Sequence, residues 1–498
     1  MEKKDSDSII CIGIDSDESD DLFAKINISS EQHPPEWPGC CIYRVHQKLR
    51  KINEKAYTPK LISIGPFHHS GNEFKDMEKH KVRYFEDFLK RTRKRKEDLL
   101  EIIKVEEEKI SHCYSEKQIS FCYSKDCMLE SDNHFVKMIL LDAVFIIELF
   151  LKVQAYKVRK NEDQDYILRK PWLLTGIAYD LILLENQVPF FILEKLFMSA
   201  YNIVSPCYNH GGEDAPFVKL SRNFFEPYDN DKESIIDKEV KHFTDLLRYF
   251  LCPKQDLKMK VPDLKMKPHK DCLDNHPSNK EKGLDNRICA TKLEDAGLKF
   301  KGIYHKRLLD IGFITNPCLR IFPCFNLSWL LACLPCLKKI SLLKRMRPIL
   351  EVPVFVINDY TEVIFRNLVA LEQCHYPSKT YICNYTALLV FLINSVEDVD
   401  LLVEKRIIDN RIGSNKAVAE LISKLCEVCV DIVGTPQSYY SDIDEEIRTY
   451  SDSQWNRHMG NIKRKYFSDF WKGAATIFGA FVLLHQLWGW VRPFVMDK

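Results

Sequence analysis

Residues 474–491, close to the end of the 498-residue chain, contain no formally charged side chain. As an α-helix this segment would be about 27 Å long, close to the thickness of the hydrocarbon layer of a membrane. Trp471, Trp488 and Trp490 lie near its ends, as interfacial aromatic residues do. The segment predicts one C-terminal transmembrane helix, so the rest of the chain must fold outside the lipid.

Basic residues are distributed unequally on the two sides of this segment. Lysine or arginine occupies positions 457, 463, 464, 465 and 472 before it, whereas only Arg492 and Lys498 follow it. The positive-inside rule then predicts that the bulk of the chain is cytosolic, in a single-pass protein of the plasma membrane or an endomembrane. Such a late anchor would insert after translation, as in tail-anchored proteins. His485 and Gln486 favour the alternative of a soluble core helix, because polar groups are costly in hydrocarbon.

The composition of the whole chain favours a helical globular body. Glycine is scarce, with 17 residues, and low glycine favours helix over sheet. The 72 basic and 71 acidic side chains give no overall attraction to nucleic acid. The polar N-terminus has no secretory signal, so we expect the 18 cysteines to be reduced thiols facing the cytosol. We therefore predict a mainly α fold with few short strands.

Local composition divides this body into segments. Residues 1–38 are acidic and then rich in proline, which is typical of a disordered tail. Residues 252–288 contain four prolines and few apolar side chains, and they are predicted to be a flexible linker. These boundaries predict an N-terminal helical lobe over 39–251 and a C-terminal helical lobe over 289–472.

Hydrophobic spacing predicts the main helices of the N-terminal lobe. The charge-rich stretch 77–109, with Val82 and Phe88 among its apolar positions, predicts one long amphipathic helix or two. Residues 135–150 are apolar almost all round, but they are too few to span a membrane and include acidic residues, so they predict a buried core helix. Residues 181–197 contain two apolar segments that Pro189 separates.

Two elements of the C-terminal lobe are also predicted. The β-branched run 352–357 is the best strand candidate. Ser414 is expected to cap a helix with one apolar face, formed by Val418, Leu421, Ile422, Leu425 and Cys429.

Two groups of polar residues are candidates for chemistry. His68 and His69 follow a Gly-Pro turn and could bind a metal or move protons, although adjacent histidines chelate poorly. A structural role for them is the preferred interpretation. Glu185, Asn186 and Gln187 lie between two apolar runs, where a catalytic glutamate or a hydrogen-bonded network that fixes the bend at Pro189 would fit. The network is the preferred interpretation.

For two further motifs, a specific binding function is not the preferred interpretation. Residues 315–347 contain Cys318, Cys324, Cys333 and Cys336, which could bind zinc or carry palmitate, but their spacing matches no zinc module. The basic run 91–96 is followed by acidic residues and has no interleaved aromatics, so it predicts a solvated helix surface rather than nucleic-acid binding.

Several longer motifs occur along residues 42–471. They are Ile42-Tyr-Arg-Val45, Ala56-Tyr57, Ser63-Ile-Gly-Pro-Phe-His-His69, Met77-Glu78, Leu184-Glu-Asn-Gln-Val-Pro-Phe-Phe191, Leu309-Asp-Ile311, Arg366-Asn-Leu368, Glu372-Gln-Cys374, Glu397-Asp-Val-Asp-Leu-Leu402 and Tyr466-Phe467. In this order they resemble the plant domain-of-unknown-function 247 family. The resemblance implies a plant protein with a helical fold and membrane attachment, and it implies no catalytic residues. Some grass members of the family are associated with self-incompatibility, which suggests recognition or signalling by analogy only.

The sequence departs from this family pattern in two places. His46 replaces a usual proline, and residues 315–347 interrupt a region that is normally short, as a genuine insertion or an unspliced intron.

The motifs of common enzyme classes are absent from the sequence, including phosphate-binding glycine loops, Gly-x-Ser-x-Gly and His-Glu-x-x-His. We therefore predict a membrane-tethered recognition, signalling or scaffold protein that is not an enzyme. It would have protein partners, no cofactor, no metal, no nucleic acid and no evident small-molecule ligand. The alternative is a hydrolase-like enzyme with a site near His68 and Glu185, since triads can assemble from distant residues.

Overall fold

The structure is a computed structural model that describes a defined part of the chain. The described residues are 39–69, 71–115, 134–159, 165–204, 216–232, 236, 239–253, 288–315, 347–429, 439–467 and 470–496. The predicted tail 1–38, almost all of the predicted linker and the cysteine-containing segment 316–346 lie outside the described residues.

The described part of the chain is mainly helical, as predicted. Its α-helices, numbered in chain order, are α1 Gln47–Ile52, α2 Lys75–Thr92, α3 Lys96–Ser111, α4 His134–Arg159, α5 Pro171–Asp180, α6 Phe190–Val204, α7 Pro216–Phe224, α8 Phe243–Leu251, α9 Ala290–Asp295, α10 Thr361–His375, α11 Tyr381–Leu392, α12 Val396–Glu404, α13 Asn415–Cys429, α14 Ser441–Asp452, α15 Gln454–Tyr466 and α16 Phe470–Met496. Short 3-10 helices occur at Glu54–Ala56, Asn72–Phe74 and Glu226–Tyr228.

The charge-rich stretch predicted as one helix or two forms the two helices α2 and α3. They separate at Arg93, whose backbone is left-handed with φ of 51° and therefore ends α2. The buried face of α2 includes Lys81, Tyr84 and Phe88, whereas Val82 is 49% exposed. The predicted face was thus wrong at Val82, because a lysine with a buried partner takes a position on the inner stripe.

Helix α4 confirms the predicted core helix and extends beyond residue 150. Helices α2, α3, α6 and α7 pack around it. The two acidic residues on α4 are buried with basic partners from α2: Lys81 donates to Asp142, and Arg91 donates to Glu148. Buried charges require such partners, so these contacts fix the position of α2 against α4.

The apolar pair of segments around Pro189 is also confirmed. Leu181 and Leu184 lie in turns after α5, and α6 begins at Phe190, immediately after the proline. Leu181, Leu184 and Phe190 are each at most 1% exposed. Proline cannot donate a backbone hydrogen bond, so the boundary at this residue follows from its chemistry.

Five short strands form two small sheets within the described residues. They are β1 Lys299–Ile303, β2 Gly312–Ile314, β3 Ile349–Pro353, β4 Phe355–Ile357 and β5 Ile408–Asn410. Strand β3 is central, parallel to β1 and antiparallel to β2, while β4 and β5 form a parallel pair. The single strand predicted at 352–357 is divided between β3 and β4, which belong to different sheets.

The prediction for α13 is confirmed. Ser414 Oγ accepts a hydrogen bond from the backbone N–H of Ala417 at 3.4 Å. The five residues predicted to share its apolar face are all buried.

One hydrophobic core contains buried side chains from both sides of the segment 254–287. Polar contacts also join the two sides: Asn367 Oδ1 accepts a hydrogen bond from the backbone N–H of Leu184 at 2.9 Å, and Asn53 Nδ2 donates to Glu362 at 2.9 Å. The division into two lobes with boundaries at 251 and 289 stays a prediction.

The C-terminal segment forms α16, which follows α15 after a sharp bend. Within the described residues no single helix is both long and apolar enough to cross a membrane. The two helices Gln454–Tyr466 and Trp471–Trp490 together have the length and apolar composition of a membrane span, but they are bent by 107° relative to each other. The predicted transmembrane helix 474–491 therefore does not pass as a span by itself.

Candidate functional site

Asn186 joins two motifs that are far apart in sequence. Its Oδ1 accepts a hydrogen bond from the backbone N–H of Ile64 at 2.6 Å. Its Nδ2 donates to the carbonyl oxygens of Ile62 at 3.0 Å and Asp180 at 2.9 Å. The side chain is fully buried and its amide is satisfied on both sides. This confirms that the residue belongs to a hydrogen-bonded network.

Gln187 makes equivalent contacts to the opposite side. Its Nε2 donates to the carbonyl oxygens of Leu181 and Leu183, both at 2.7 Å. Its Oε1 accepts from the backbone N–H of Phe243, the first residue of α8, at 3.0 Å. The polar pair therefore holds the turn between α5 and α6 and connects it to the first turn of another helix.

Glu185 lies at the centre of a basic cluster. Its Oε1 accepts a hydrogen bond from the backbone N–H of Val45 at 2.7 Å, and its Oε2 accepts from the guanidinium of Arg50. Arg44 lies 3.6 Å from Oε2, and His68 Nε2 lies 3.2 Å from it. The carboxylate is fully buried, whereas the arginine and histidine side chains are partly exposed.

These contacts explain the charge state of Glu185. Burial by itself would raise the pKa of the carboxyl, but His68, the Val45 N–H and Arg50 outweigh it, so the pKa is lowered. Glu185 is therefore a carboxylate whose oxygens already accept several donors. A general base needs a free lone pair facing the substrate, and this geometry leaves little capacity for that role.

Gly65 allows the two motifs to approach each other. Its φ is +72°, and a Cβ atom at this position would lie 2.4 Å from the carbonyl oxygen of Gln187. Its backbone N–H donates to Asp142 at 2.8 Å, and Lys81 Nζ bridges Asp142 and the carbonyl oxygen of Ser63, each at 2.6 Å. The turn therefore requires glycine for both its backbone conformation and its close contact.

Lys81 and Asp142 form a buried ion pair with opposing influences on charge. Burial would lower the pKa of Lys81, but Asp142 and Glu78 raise it, so the ammonium form is favoured. Burial raises the pKa of Asp142, while Lys81 and the Gly65 N–H act in the opposite direction. Because two carboxylates surround one ammonium, Lys81 stays charged.

The two adjacent histidines point to different neighbours. His68 approaches Glu185, whereas the ring of His69 packs edge-on against that of His134, with centroids 5.1 Å apart. Burial lowers the pKa of His69. Among the described residues, no group of three or more histidine, cysteine or acidic side chains could hold a metal ion. The cysteines at 318, 324, 333 and 336 lie outside the described residues.

The basic run 91–96 takes part in local ion pairs. Arg91 reaches the buried Glu148, and Arg95 pairs with Asp98 at 2.6 Å. Arg91 is thus a partner of the core helix, a role that the solvated-surface interpretation missed.

The sequence analysis also missed a buried ion pair between α8 and α10. Arg248 Nε donates to Glu372 Oε1 at 2.9 Å, and Glu372 accepts further hydrogen bonds from the backbone N–H groups of Ile382 and Cys383. Glu372 belongs to a motif quoted above, but the pairing with Arg248 crosses 124 residues. Periodicity carries no signal for such a distant partner.

A surface cleft between α5, residues 55–61 and the start of α10 was also not predicted. Its cavity volume is about 240 Å³. Trp172, Tyr179 and Tyr360 contribute aromatic rings, and Lys55 and Lys60 contribute ammonium groups. Trp172 is 64% exposed, which is unusual for so large an apolar side chain.

Helix α16 presents a different surface. Between residues 471 and 490 nearly every side chain is exposed, including Phe478, Phe481 and Leu484. None of the residues after 470 belongs to the hydrophobic core of the described chain.

Comparison with known proteins agrees with the motifs. A family model described as a plant protein of unknown function, DUF247, matches residues 42–485. The chain is 28% identical to the UPF0481 protein At3g47200 of Arabidopsis thaliana over 458 residues, covering 90% of this chain and 84% of that protein. It is 23% identical to the putative UPF0481 protein At3g02645 of Arabidopsis thaliana over 531 residues, covering 91% and 90%. No solved structure matches this chain.

Proposed function

The chain belongs to the DUF247 family of plant proteins, and on that premise we propose that it is a membrane-tethered protein whose helical body recognises a protein partner without catalysis. Tethering would raise the effective concentration of the body for partners at the same membrane.

The exposure of α16 is the observation that carries the tethering proposal. Nine large apolar side chains between residues 477 and 490 are exposed. Burying such a side chain is worth roughly 1.5–3 kcal/mol, so transfer of this helix from water to an apolar phase is favourable by more than 10 kcal/mol as an order of magnitude. Insertion of His485 and Gln486 offsets part of this gain.

The helix before the bend supports a fixed orientation of the body. On α15, Lys463 Nζ pairs with Asp295 Oδ1 at 2.9 Å, and Gly460 lies against the backbone around Ala296. Helix α15 is thus packed on the body through α9, while α16 turns away by 107°. In this proposal α15 lies along the membrane surface and α16 enters the lipid, with the body on the cytosolic side.

The arrangement around Glu185 supports a non-enzymatic body. The residue belongs to the network that joins the motifs at 63–69 and 184–191, and its oxygens accept from Val45 and Arg50. The preference for recognition over catalysis rests on this structural use of the polar groups.

One observation favours the alternative of an enzyme. His68 Nε2 lies 3.2 Å from Glu185 Oε2, so a partly exposed histidine meets a buried carboxylate. A catalytic pair predicts that purified protein hydrolyses a panel of ester and amide substrates and that Glu185→Gln removes this activity. Loss of thermal stability in Glu185→Gln with no activity in either protein would favour the structural role.

The tethering proposal is tested by fractionation of plant cells that express the full chain or a version ending at residue 467. After an alkaline carbonate wash, we expect the full chain in the pellet and the shortened version in the supernatant. Recovery of the full chain in the supernatant would refute tethering. Equal pelleting of both versions would show that α16 is not the anchor.

The orientation is tested separately with a glycosylation sequon appended after Lys498. We expect this sequon to be modified, because the short tail would lie across the membrane. The chain contains a glycosylation sequon at Asn384-Tyr-Thr386, but it is a poor reporter of orientation. Thr386 is buried, and its hydroxyl donates to the Ile382 carbonyl at 2.9 Å. Modification of a sequon placed instead at residues 71–73, before α2, would reverse the proposed facing.

A further inference from the structure

The cleft between α5 and the start of α10 has the chemistry of a peptide-binding site. Tyr179 and Tyr360 stack with ring centroids 3.4 Å apart, and Trp172 stands beside them with 64% of its surface exposed. Exposed tryptophan next to other aromatic rings is enriched at recognition surfaces, where it provides rigid apolar contact area.

The charge of this cleft is positive. Lys55 and Lys60 are exposed at its rim, and within the described residues no close ion pair joins either ammonium to a carboxylate, although Lys60 interacts at longer range with Asp180. Asp180 also lines the cleft, but its carboxylate accepts the backbone N–H groups of Lys60, Leu61 and Ile62. Two lysines against one carboxylate leave an excess of one positive charge in the lining, so the cleft favours an acidic occupant.

The size of the cleft favours side chains of a peptide over a complete small molecule. Its volume of about 240 Å³ lies below the roughly 300–1,000 Å³ of typical small-molecule pockets. Two of its lining residues, Gly176 and Leu61, are in close contact, since a Cβ atom on the glycine would lie 2.3 Å from Leu61 Cδ1. Space remains for one or two apolar side chains next to a charged segment.

We propose that the occupant of this cleft is the chain's own segment 15–23. Five of its first seven residues, 15–21, are acidic, and Leu22 and Phe23 follow them directly. The acidic residues match the two lysines, and the apolar pair matches the aromatic wall. The same chain thus contains both the acidic charge and the apolar anchor that the cleft requires.

The length of chain between this segment and the described body is sufficient. Residue 40 lies beside the end of α10, because Tyr43 Oη donates to the Cys40 carbonyl at 2.9 Å and lies 2.9 Å from His375 Nδ1. The cleft lies at the other end of α10, beside Tyr360, and 15 helical residues span about 22 Å.

The 16 residue steps from Phe23 to Gly39 reach this distance. As a coil they have a root-mean-square length of roughly 20–24 Å, and fully extended they reach about 53 Å. A tether whose average length matches the span gives the highest effective concentration of the attached segment. The docked tail would cover the cleft and compete with any external acidic peptide.

Zero-length crosslinking of the full chain with a water-soluble carbodiimide tests this contact directly. We expect amide crosslinks from residues 15–21 to Lys55 or Lys60 within single chains, and their loss in high salt because the pairing is screened. Lys51, which is exposed on α1 outside the cleft, is the matched control and should react far less. Equal crosslinking to Lys51 would overturn the proposal, as would crosslinks only between two copies or none at all.

Hydroxyl-radical footprinting of the full chain gives a second measurement that does not depend on the lysines. Trp172 should be protected in the wild-type chain, and Phe23→Ser should increase its oxidation several-fold. Tyr304, which is 58% exposed and outside the cleft, should keep its rate in both proteins. Equal oxidation of Trp172 in the two proteins would overturn the docking of the apolar anchor. Neither measurement depends on membrane attachment, so failure here is distinguishable from failure of tethering.

Discussion

Acidification is expected to destabilise the fold through His242, which precedes α8 and is fully buried. Its Nε2 lies 3.0 Å from the carbonyl oxygen of Cys41, and its Nδ1 accepts from the backbone N–H of Asp245 at 3.4 Å. One ring nitrogen therefore donates and the other accepts, which requires the neutral ring. Burial lowers the pKa of His242 from 6.5 to about 4, against the opposing influence of Asp245 and the Cys41 carbonyl.

The direction and size of the effect follow from linkage. Between pH 6.5 and 4 the unfolded chain binds a proton at His242 that the folded chain does not, so the free energy of unfolding falls as the pH falls. The full difference corresponds to about 3 kcal/mol, of which about 2 kcal/mol is lost by pH 5. The stabilisation is fully present above pH 6.5.

Urea denaturation at a series of pH values measures this loss. His242→Asn keeps an oxygen that can accept from the Asp245 N–H, but the asparagine cannot titrate. Between pH 7.5 and 5, its free energy of unfolding should therefore fall by about 2 kcal/mol less than that of the wild type. His458→Asn changes an exposed histidine and should retain the wild-type dependence. Parallel curves for wild type and His242→Asn would refute the reasoning, because the acid sensitivity would then come from other groups.

Two further predictions concern packing. Glu372→Gln should lower the free energy of unfolding by about 3–5 kcal/mol in urea titrations, because it leaves the Arg248 guanidinium buried without its carboxylate. The control Asp409→Asn removes a surface ion pair and should change the free energy of unfolding by less than about 1 kcal/mol. Gly65→Ala should lower the free energy of unfolding by more than about 2 kcal/mol in the same measurement. Gly413→Ala is also at positive φ, but a Cβ there would have nothing within 4 Å, so its loss should be clearly smaller. Equal losses would show that the backbone conformation alone causes the destabilisation.

Much of the secondary structure was predictable because it depends on local spacing. The stretch 135–150 is apolar almost all round, and the apolar face beginning at Val418 repeats every three or four residues. Both are buried helices in the structure. The boundary at Pro189 was predictable because proline lacks an amide hydrogen. The error at Val82 arose because a lysine occupies an inner position of α2, which an apolar pattern cannot indicate.

The candidate site was predictable in part. A polar triplet between two apolar runs must be buried, and buried polar groups need partners, so the network around Asn186 and Gln187 followed from the sequence. The partners themselves did not, because Ile64 and Phe243 are distant in sequence. The cleft at Trp172 was missed for the same reason, since its walls come from three separate segments.

The amino-acid sequence was sufficient to predict the helical class of the body, the apolar character of the C-terminal helix and the burial of residues 184–187. These properties depend on composition and on neighbours within one or two helical turns. The packing of the helices was needed to show that Lys81 pairs with Asp142, that Arg248 pairs with Glu372 and that Lys55 and Lys60 line one cleft. The helical body shields the buried partners from water. An ion pair forms where the packed helices bring two charges within a few ångströms, and that distance is a property of the whole arrangement.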